Sequence, residues 1–518
     1  MAWLNIGESL RVNASKYPGK MALKDERRAL TFSELNIRVN KLANALLGMG
    51  LRKGDKLGII SYNCIEFLEV YLAAAKSGVI VVPLNWRQTG KAFKYILTNS
   101  DTSVMVVHSD FVDTINEIKD ELLIAPDRYI CLHGEPPEGY IGLEQILRSG
   151  SGEEPDVDIA NEDTWVILYT SGTTGVPKGV VRSHRSYIAF YLINEVEFSF
   201  RPDDYGLIVM PLFHVNSTFY SFVFTYIGAS VYVHKEKRFN PEEVLQIIDS
   251  EKITFTSLIP THYNLILSLP GETKAKYDVS SMRSILCSSA PVWKKTKLEI
   301  MDFFKGSKLF EAYGSTEAGL VTLLRPEDQL DKLGSIGKEC IGTDTIRLLD
   351  DDGREVPIGE VGELYSRGPM MFDCYYKNPE KTRASFVGEY FSAGDMARRD
   401  EDGYYTLVDR KDNMIITGGE HVFPSEVEAL IGEHEAVRAV AIIGEPHVKW
   451  GEAVTAVVVL KDGKECTEEE IIEFCRGRMA AFKKPKRVRF ITEEEMPRTP
   501  TGKILHRVLR ERFCGSPE

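Results

Sequence analysis

The sequence lacks long apolar runs, paired cysteines and a surplus of positive charge. None of its 518 residues belongs to a stretch of about 18 consecutive apolar residues, the length that a membrane-spanning helix needs. Residues 1–13 lack the basic flank and the apolar segment of a signal peptide. The eight cysteines are scattered without a CxxC pair or a zinc-ligand spacing. We therefore expect a soluble cytoplasmic protein with reduced thiols and no integral membrane contact.

The charge balance restricts the partners of the chain. With 76 acidic residues against 63 basic ones, the formal net charge is -13. This excess disfavours non-specific binding to nucleic acid or to an anionic membrane, so we expect no nucleic-acid partner. An anionic substrate would need a locally positive site. The length exceeds the roughly 250–300 residues at which one hydrophobic core stops growing, and it predicts at least two domains.

Two series of short β-branched runs alternate with helical stretches and predict α/β layers. Such an alternation is typical of sheets that are mostly parallel, with helices as crossovers. The first series, which includes a helical stretch at 64–76, has strands at 57–61, 79–83, 103–107 and 129–132. The second series has strands at 165–169, 207–210, 230–234, 253–258 and 284–287.

The pattern changes in the last third of the chain. Strands separated by Asp and Gly turns, at 346–349, 362–366 and 404–408, predict a β-rich subdomain. A charged run at 409–412 follows, and then come strands at 439–443 and 453–460 and a capped helix at 467–479. The predicted fold class is α/β. A large N-terminal domain, residues 1–410, combines α/β subdomains with the β-rich subdomain, and a small α+β domain comprises residues 411–518.

One loop has the composition of a polyphosphate site. Small residues let backbone N–H groups converge on an anion, hydroxyls add donors, and a lysine offsets phosphate charge. Lys178 is followed by Gly179 and not by Ser or Thr, so this is not a Walker A loop. A flexible surface loop is the alternative. The loop directly follows the predicted strand 165–169 and reads Thr170, Ser171, Gly172, Thr173, Thr174, Gly175, Val176, Pro177 and Lys178.

This loop resembles the signature of the acyl-adenylate-forming superfamily, which contains acyl-CoA synthetases, firefly luciferase and nonribosomal peptide adenylation domains. A second motif is similar too, and the resemblance implies that Tyr313 stacks on adenine, Thr316 contacts phosphate and Glu317 holds magnesium. A carboxylate beside a triphosphate makes physical sense only with a metal between them. The nucleotide residues implied in this region are Ser289, Ala290, Pro291, Glu311, Ala312, Tyr313, Gly314, Ser315, Thr316 and Glu317.

Further motifs of the resemblance lie towards the C-terminus. Asp395 is implied to bind ribose, and Arg410 to reach the ribose or phosphate beside a pivot at Asp412, about which the C-terminal domain would rotate between two half-reactions. Gly418 and Gly419 resemble the lining of the pantetheine tunnel. The coenzyme A residues also include Trp450. At three positions of these motifs the sequence differs from the residue that is usual in the family, namely at Ala393, Asp409 and His421.

The resemblance implies three residues that act in chemistry. Lys503, in the run Arg498-Thr499-Pro500-Thr501-Gly502-Lys503, would stabilise charge where the acid's carboxylate meets the α-phosphate, because two anions approach each other there. His214 corresponds to a position beside the substrate carboxylate, although a core histidine is the alternative. Glu317 is the third, as the magnesium ligand.

Together these motifs predict an ATP-dependent acid–CoA ligase that forms acyl-AMP and then acyl-CoA, releasing pyrophosphate and AMP. The implied cofactors are ATP, Mg²⁺ and coenzyme A. Two alternatives stay open: an enzyme that loads a separate carrier protein, and a non-catalytic nucleotide-binding protein. The acid is expected to be fatty, aryl or cyclic, because no acidic residue is placed to bind an α-amino group. Whether the protein forms a homodimer stays open as well. The expected pocket comprises Phe213, Val215, Asn216, Ser217, Ser288 and Ala312.

Overall fold

The computed structural model describes residues 4–171, 176–235, 237–288, 292, 294–498 and 504–514, with the backbone alone at residue 171. The chain divides into two compact units. The first comprises Met1–Thr345 with Ser366–Phe391, and the second comprises Ile346–Tyr365 with Ser392–Glu518. The charged run at 409–412 therefore lies inside the second unit. The domain boundary at residue 411 rests on the change of pattern at this charged run, and it stays a prediction.

The helices of the described residues are mostly two to four turns long. In chain order they are α1 Ile6–Lys16, α2 Phe32–Gly48, α3 Ile65–Ser77, α4 Gly90–Asn99, α5 Val112–Lys119, α6 Leu143–Ser149, α7 His184–Phe198, α8 Val215–Ile227, α9 Pro241–Glu251, α10 Pro260–Leu267, α11 Gly271–Lys274, α12 Lys294–Phe303, α13 Pro379–Ala384, α14 Pro424–Ile431, α15 Glu468–Phe474 and α16 His506–Cys514. Within this part of the chain, none of them combines the length and hydropathy that crossing a bilayer requires.

The strands fall into two series. Those before residue 345 are β1 Met21–Lys24, β2 Ala29–Thr31, β3 Lys56–Ile60, β4 Ile80–Pro83, β5 Thr102–Val107, β6 Tyr129–Cys131, β7 Ile141–Gly142, β8 Thr164–Ser171, β9 Pro177–Ser183, β10 Tyr205–Ile208, β11 Ser230–Val233, β12 Phe255–Leu258, β13 Ser284–Ser288, β14 Lys308–Ser315, β15 Gly319–Leu324 and β16 Lys338–Glu339. Those after it are β17 Arg347–Leu349, β18 Val361–Tyr365, β19 Cys374–Tyr375, β20 Phe386–Val387, β21 Tyr390–Phe391, β22 Asp395–Arg399, β23 Tyr405–Arg410, β24 Ile415–Thr417, β25 Glu420–Val422, β26 Val437–His447, β27 Gly451–Leu460 and β28 Arg487–Phe490.

Two large sheets form the first unit, as the alternating pattern predicts. One has the order β19-β9-β8-β4-β3-β5-β6-β7, and the other has the order β16-β15-β14-β13-β12-β10-β11-β1-β2. The pairs β3·β4, β3·β5, β12·β13 and β13·β14 are parallel, with helices as crossovers. Ligands of such sheets bind beyond the carboxyl ends of the strands. We therefore expect a ligand site at the edge of the second sheet where β10, β12, β13 and β14 end.

The second unit is built on antiparallel sheets. One sheet has the order β17-β18-β22-β23. The other is dominated by the long hairpin β26·β27, whose buried faces carry Val, Ile and Ala, and β28 adds to β27 in parallel. The β-rich strands predicted between 346 and 408 thus exist, and they group with the C-terminal residues.

Local sequence signals account for most of these elements. Capping boxes begin α2 at Thr31 with Glu34 and α15 at Thr467 with Glu470, and the second of these helix starts is as predicted from the sequence. The helix predicted over 467–479 is wrong in its extent, because α15 ends at Phe474. The chain turns there at Gly477, whose φ of 72° lies in the left-handed region and is incompatible with a continuing helix.

Candidate functional site

The predicted phosphate loop connects two antiparallel strands. Thr170 pairs with Lys178 and Ser171 with Pro177, so the loop closes a hairpin between β8 and β9. The sequence predicts the incoming strand but misses the return strand, because its first residues, Pro177 and Lys178, are atypical of strands. No helix follows the loop directly, so a helix dipole does not supply its charge. The predicted attraction for phosphate would therefore depend on loop amides, hydroxyls and Lys178.

Tyr375 joins the two motifs that the sequence assigns to the triphosphate. The ammonium of Lys178 lies 5.0 Å from the centre of the Tyr375 ring, and the Tyr375 hydroxyl donates to Glu317 Oε1 at 2.9 Å. The contact exists because β19 adds to β9, pairing Tyr375 with Val180. The cation that the sequence predicts for phosphate and the carboxylate that it predicts for the metal thus contact one side chain. Sequence reasoning missed Tyr375, since nothing in its local pattern marks it.

Glu317 occupies the tip of a tight hairpin between β14 and β15. The register shifts between Tyr313 and Gly314, where a side chain is excluded because an added Cβ would lie 2.0 Å from the carbonyl oxygen of Gly319. Gly319 itself has a φ of 75°, which favours glycine. The Ser315 hydroxyl accepts from the amide of Ala318 at 2.9 Å. The glycines therefore set the turn that presents Thr316 and Glu317.

Arg182 braces this hairpin from inside the core. Its guanidinium donates to the carbonyl oxygen of Thr316 at 2.7 Å and to that of Met370 at 2.5 Å. The rings of Tyr187 and Phe219 lie 5.2 and 5.0 Å from its guanidinium carbon. Burial lowers the pKa of Arg182. An arginine at a single strand position gives no sequence signal for this role, and the prediction missed it.

Glu311 and Ala312 take opposite faces of β14. The Glu311 carboxylate lies 2.5 Å from the ammonium of Lys297, whose side chain is 1% exposed, and burial raises the pKa of Glu311. Ala312 pairs in register with Ser288 at the end of β13. The Glu311 side chain is thus engaged by α12, and a nucleotide contact there stays a prediction.

His214 is the residue before α8. Burial, with a smaller contribution from Arg87, lowers the pKa of His214 to about 4, so the imidazole is neutral at pH 7. Its Nε2 is shielded from solvent and has no hydrogen-bond partner among the described residues. The ring of Phe213 packs 4.4 Å from the imidazole, centre to centre. A neutral imidazole can hydrogen-bond a substrate without adding charge.

In the second unit the predicted ribose residues form a pair. Asp395 and Arg410 face each other across β22 and β23, and Arg410 Nε donates to Asp395 Oδ1 at 3.0 Å. The next residue, Lys411, lies 2.8 Å from Asp351 and 3.1 Å from Glu363, which raises the pKa of Lys411 to about 12. The structure thus brings Asp395 and Arg410 together, and their contact with the ribose stays a prediction.

The predicted coenzyme A residues also lie together. Gly418 and Gly419 have φ values of 62° and 86°, and the Gly418 amide donates to the carbonyl oxygen of Trp450 at 2.7 Å. A Cβ at Gly419 would meet nothing within 4 Å. The Trp450 indole stacks on His447 at 4.2 Å, with the Lys486 ammonium 5.4 Å from its centre. A half-buried aromatic with an ammonium beside it suits a nucleotide.

Other predicted site residues lie outside the described part of the chain. Among them is Lys503, in the range 499–503. The two described residues that border this range, Arg498 and Ile504, pair as an isolated bridge. Where these residues lie stays a prediction. The others are the side chain of Ser171 and the whole of Gly172, Thr173, Thr174, Gly175, Ser289, Ala290 and Pro291.

Comparison with known families identifies the chain. The model of the AMP-binding enzyme matches residues 10–376, and that of the AMP-binding enzyme C-terminal domain matches residues 426–503. The chain belongs to the AMP-binding enzyme family. The two matched regions contain the phosphate loop, Glu317 and Lys503.

Individual relatives match over nearly their whole length. Indoleacetate–CoA ligase of Aromatoleum aromaticum is 33% identical over 508 residues, covering 97% of this chain and 96% of the relative. Long-chain-fatty-acid–CoA ligase FadD13 of Mycobacterium tuberculosis is 33% identical over 523 residues and 99% of each chain. The crystal structure of the anthranilate CoA ligase AuaEII with anthranoyl-AMP superposes with a TM-score of 0.89, 29% identity and coverage of 99% and 98%. The enzyme is an acyl-CoA synthetase of this family.

The described residues fit the magnesium ion that this chemistry uses. Mg²⁺ prefers hard oxygen ligands and is bound by one or two carboxylates together with substrate phosphates. Glu317 can provide one such carboxylate, to which the Tyr375 hydroxyl donates, and the Lys178 ammonium lies over the face of the same ring. A single carboxylate beside a phosphate cradle matches this preference.

Proposed function

We propose that the enzyme activates a carboxylic acid with MgATP as an acyl-AMP, releasing pyrophosphate, and then transfers the acyl group to the thiol of coenzyme A, releasing AMP. The observation that supports this most is the link from Lys178 through Tyr375 to Glu317. It connects the predicted phosphate-binding cation to the predicted magnesium-binding carboxylate through one tyrosine, by a cation–π contact on one part of the side chain and a hydrogen bond from the hydroxyl. The first half-reaction needs this pairing, because it separates the charged phosphates of MgATP.

In the first half-reaction the acid's carboxylate attacks the α-phosphate. Lys178 binds the departing phosphates, and Glu317 holds the magnesium, which neutralises phosphate charge when bound. His214 orients the carboxylate as a neutral donor or acceptor. Lys503 supplies the positive charge that offsets repulsion between carboxylate and phosphate. Asp395 and Arg410 hold the ribose.

In the second half-reaction the thiol attacks the mixed anhydride and AMP leaves. Gly418 and Gly419 line the path of the pantetheine arm, and Trp450 contacts the coenzyme. The domain of residues 411–518 rotates about Asp412 between the two steps. Lys503 then leaves the reacting groups, and the coenzyme path takes its place. The reaction takes place in the cytoplasm, and the enzyme acts as a homodimer or a monomer.

The acid is aryl, cyclic or fatty. The relatives support this range, since one is named for indoleacetate, another for long-chain fatty acids, and the superposed structure contains anthranoyl-AMP. The test is a panel of such acids with ATP and coenzyme A, in which AMP is measured. AMP formation that depends on both acid and coenzyme A is expected. Acid-dependent pyrophosphate exchange without coenzyme A consumption would instead indicate loading of a carrier protein.

The role of Lys503 is tested by separating the half-reactions. Lys503→Ala should abolish acid-dependent pyrophosphate exchange while leaving thioester formation from supplied acyl-AMP close to wild type. Lys305→Ala is the matched control, because Lys305 is exposed and pairs with Asp302 at the end of α12. Equal losses in the two half-reactions of the Lys503 variant would remove it from the adenylation step.

A further inference from the structure

A small polar cluster lies at the carboxyl ends of two parallel strands. The Asn216 amide nitrogen, in the first turn of α8, donates to Ser257 Oγ at 2.9 Å and to Ser288 Oγ at 3.2 Å. Ser257 belongs to β12 and Ser288 ends β13, and the two residues are only 6% and 8% exposed. Three neutral polar side chains are thus gathered where an α/β sheet places its ligands.

The cluster adjoins the reacting groups. Ser288 pairs in register with Ala312, and paired residues of neighbouring parallel strands share a face roughly 5 Å apart. The residue after Ala312 is Tyr313 of the nucleotide motif. Asn216 follows His214 by two positions at the start of the same helix. A carboxylate held near His214 would therefore direct the rest of the acid towards this cluster, with the methyl of Ala312 leaving room.

The cluster has hydrogen-bonding capacity to spare. Each serine hydroxyl accepts from Asn216 and retains its own hydrogen for donation, and Asn216 Oδ1 retains its lone pairs. Among the described residues, no protein group accepts a hydrogen bond from either serine hydroxyl or donates one to Asn216 Oδ1. Asn216 is half-buried, and a ligand that covered the cluster without offering it hydrogen-bond partners would leave these groups unpaired, which is unfavourable. A ligand that supplies the missing partners would be recognised by them.

The opposite side of α8 is already occupied by core packing. Phe219 stacks on Phe190 of α7 with ring centres 3.7 Å apart, and Tyr187 packs against its edge at 5.0 Å. Phe219 is thus part of the core between two helices. The first turn of α8 presents Asn216 to the strand ends instead.

We propose that the acid activated by this enzyme carries a neutral hydroxyl or amino substituent on its acyl part, which hydrogen-bonds to Asn216, Ser257 and Ser288. This inference rests on the proposed function, since it names the substrate class of the same site. A second carboxylate or an ammonium group on the acyl part is disfavoured. Among the described residues, no hydrogen bond joins a charged side chain to Asn216, Ser257 or Ser288, and a buried unpaired charge is far more costly than a neutral group.

The test compares acids that differ only in this substituent. AMP release is measured with hydroxy-, amino- and methyl-substituted phenylacetates and benzoates at each ring position, and with hexanoate against 6-hydroxyhexanoate. The wild-type enzyme should favour a hydroxyl or amino acid over its methyl counterpart by at least ~10-fold in kcat/KM, because sites that hydrogen-bond a substrate group reject analogues lacking it. Asn216→Leu should reduce that ratio to about 1 or invert it.

Two milder variants and a control complete the design. Ser257→Ala and Ser288→Ala each remove one hydroxyl and should lower the same ratio, which keeps the test decisive if Asn216→Leu does not fold. Ser221→Ala is the control, because its hydroxyl donates within α8 to the carbonyl oxygen of Ser217. It should leave the ratio unchanged. Activation of acids with a hydroxyl-to-methyl ratio near 1 in the wild type would overturn this inference alone, whereas no AMP from any acid would overturn the proposed function with it.

Discussion

Tyr375→Phe removes a single oxygen from the centre of the proposed site. The variant keeps the ring that lies beneath the Lys178 ammonium at 5.0 Å, and it deletes the hydroxyl that donates to Glu317 at 2.9 Å. Glu317 then loses the group that orients its carboxylate. Residues that orient a metal ligand contribute strongly to metal affinity. We expect weaker magnesium binding with little change in the fold.

The size of the effect follows from the nature of the lost bond. A hydrogen bond to a charged group contributes about 1.5–3 kcal/mol. Because ~1.4 kcal/mol corresponds to a factor of ten, the Mg²⁺ concentration for half-maximal activity should rise by roughly 10- to 100-fold. The rate at saturating Mg²⁺ should stay within about threefold of wild type, since Lys178 and the nucleotide contacts are untouched and threefold is only ~0.7 kcal/mol.

The measurement is acid-dependent pyrophosphate exchange as a function of Mg²⁺ at fixed ATP. Tyr376→Phe is a matched control from the next position in the chain, because its hydroxyl donates at 2.9 Å to Asp101 instead of Glu317. The control should follow the wild-type curve. A Tyr375→Phe enzyme with an unchanged Mg²⁺ requirement would refute the assignment of Glu317 to the metal.

Two further predictions concern buried charge. Lys297→Met should lower the free energy of unfolding by about 3–5 kcal/mol in a urea titration, because it leaves the buried Glu311 carboxylate uncompensated; the double variant with Glu311→Leu should recover most of this loss. His184 is 1% exposed and burial lowers its pKa to about 4, so between pH 6.5 and 4 the unfolded chain binds a proton that the folded chain does not. The free energy of unfolding should therefore fall by ~2 kcal/mol as the pH is lowered from 7 to 5. The free energy of unfolding of His184→Phe, which retains a ring against Trp165, should depend correspondingly less on pH.

Periodicity and turn residues predict much of the first unit. The strands at β3 to β6 and β10 to β13 arise from short β-branched runs whose boundaries the structure shifts by one or two residues. Periodicity and turn residues do not predict the return strand β9 or the contacts that Tyr375 and Arg182 make. Tyr375 meets Glu317 only because β19 joins the edge of one sheet, and Arg182 meets Thr316 only through the core. Such contacts depend on tertiary packing, which no local pattern encodes.

The neutral state of His214 leads to a prediction about the pH profile. Burial, followed by the nearby Arg87, lowers the pKa of His214 to about 4, so its imidazole does not change charge between pH 5 and 8. Above pH 5 it therefore acts as a hydrogen-bonding group and not as a titrating base. His214→Asn should lower kcat/KM for adenylation and leave the shape of the profile between pH 5.5 and 8 unchanged. A wild-type inflection near pH 6.5 that disappears in this variant would mean that substrate binding restores the ordinary pKa of His214 and that it titrates during turnover.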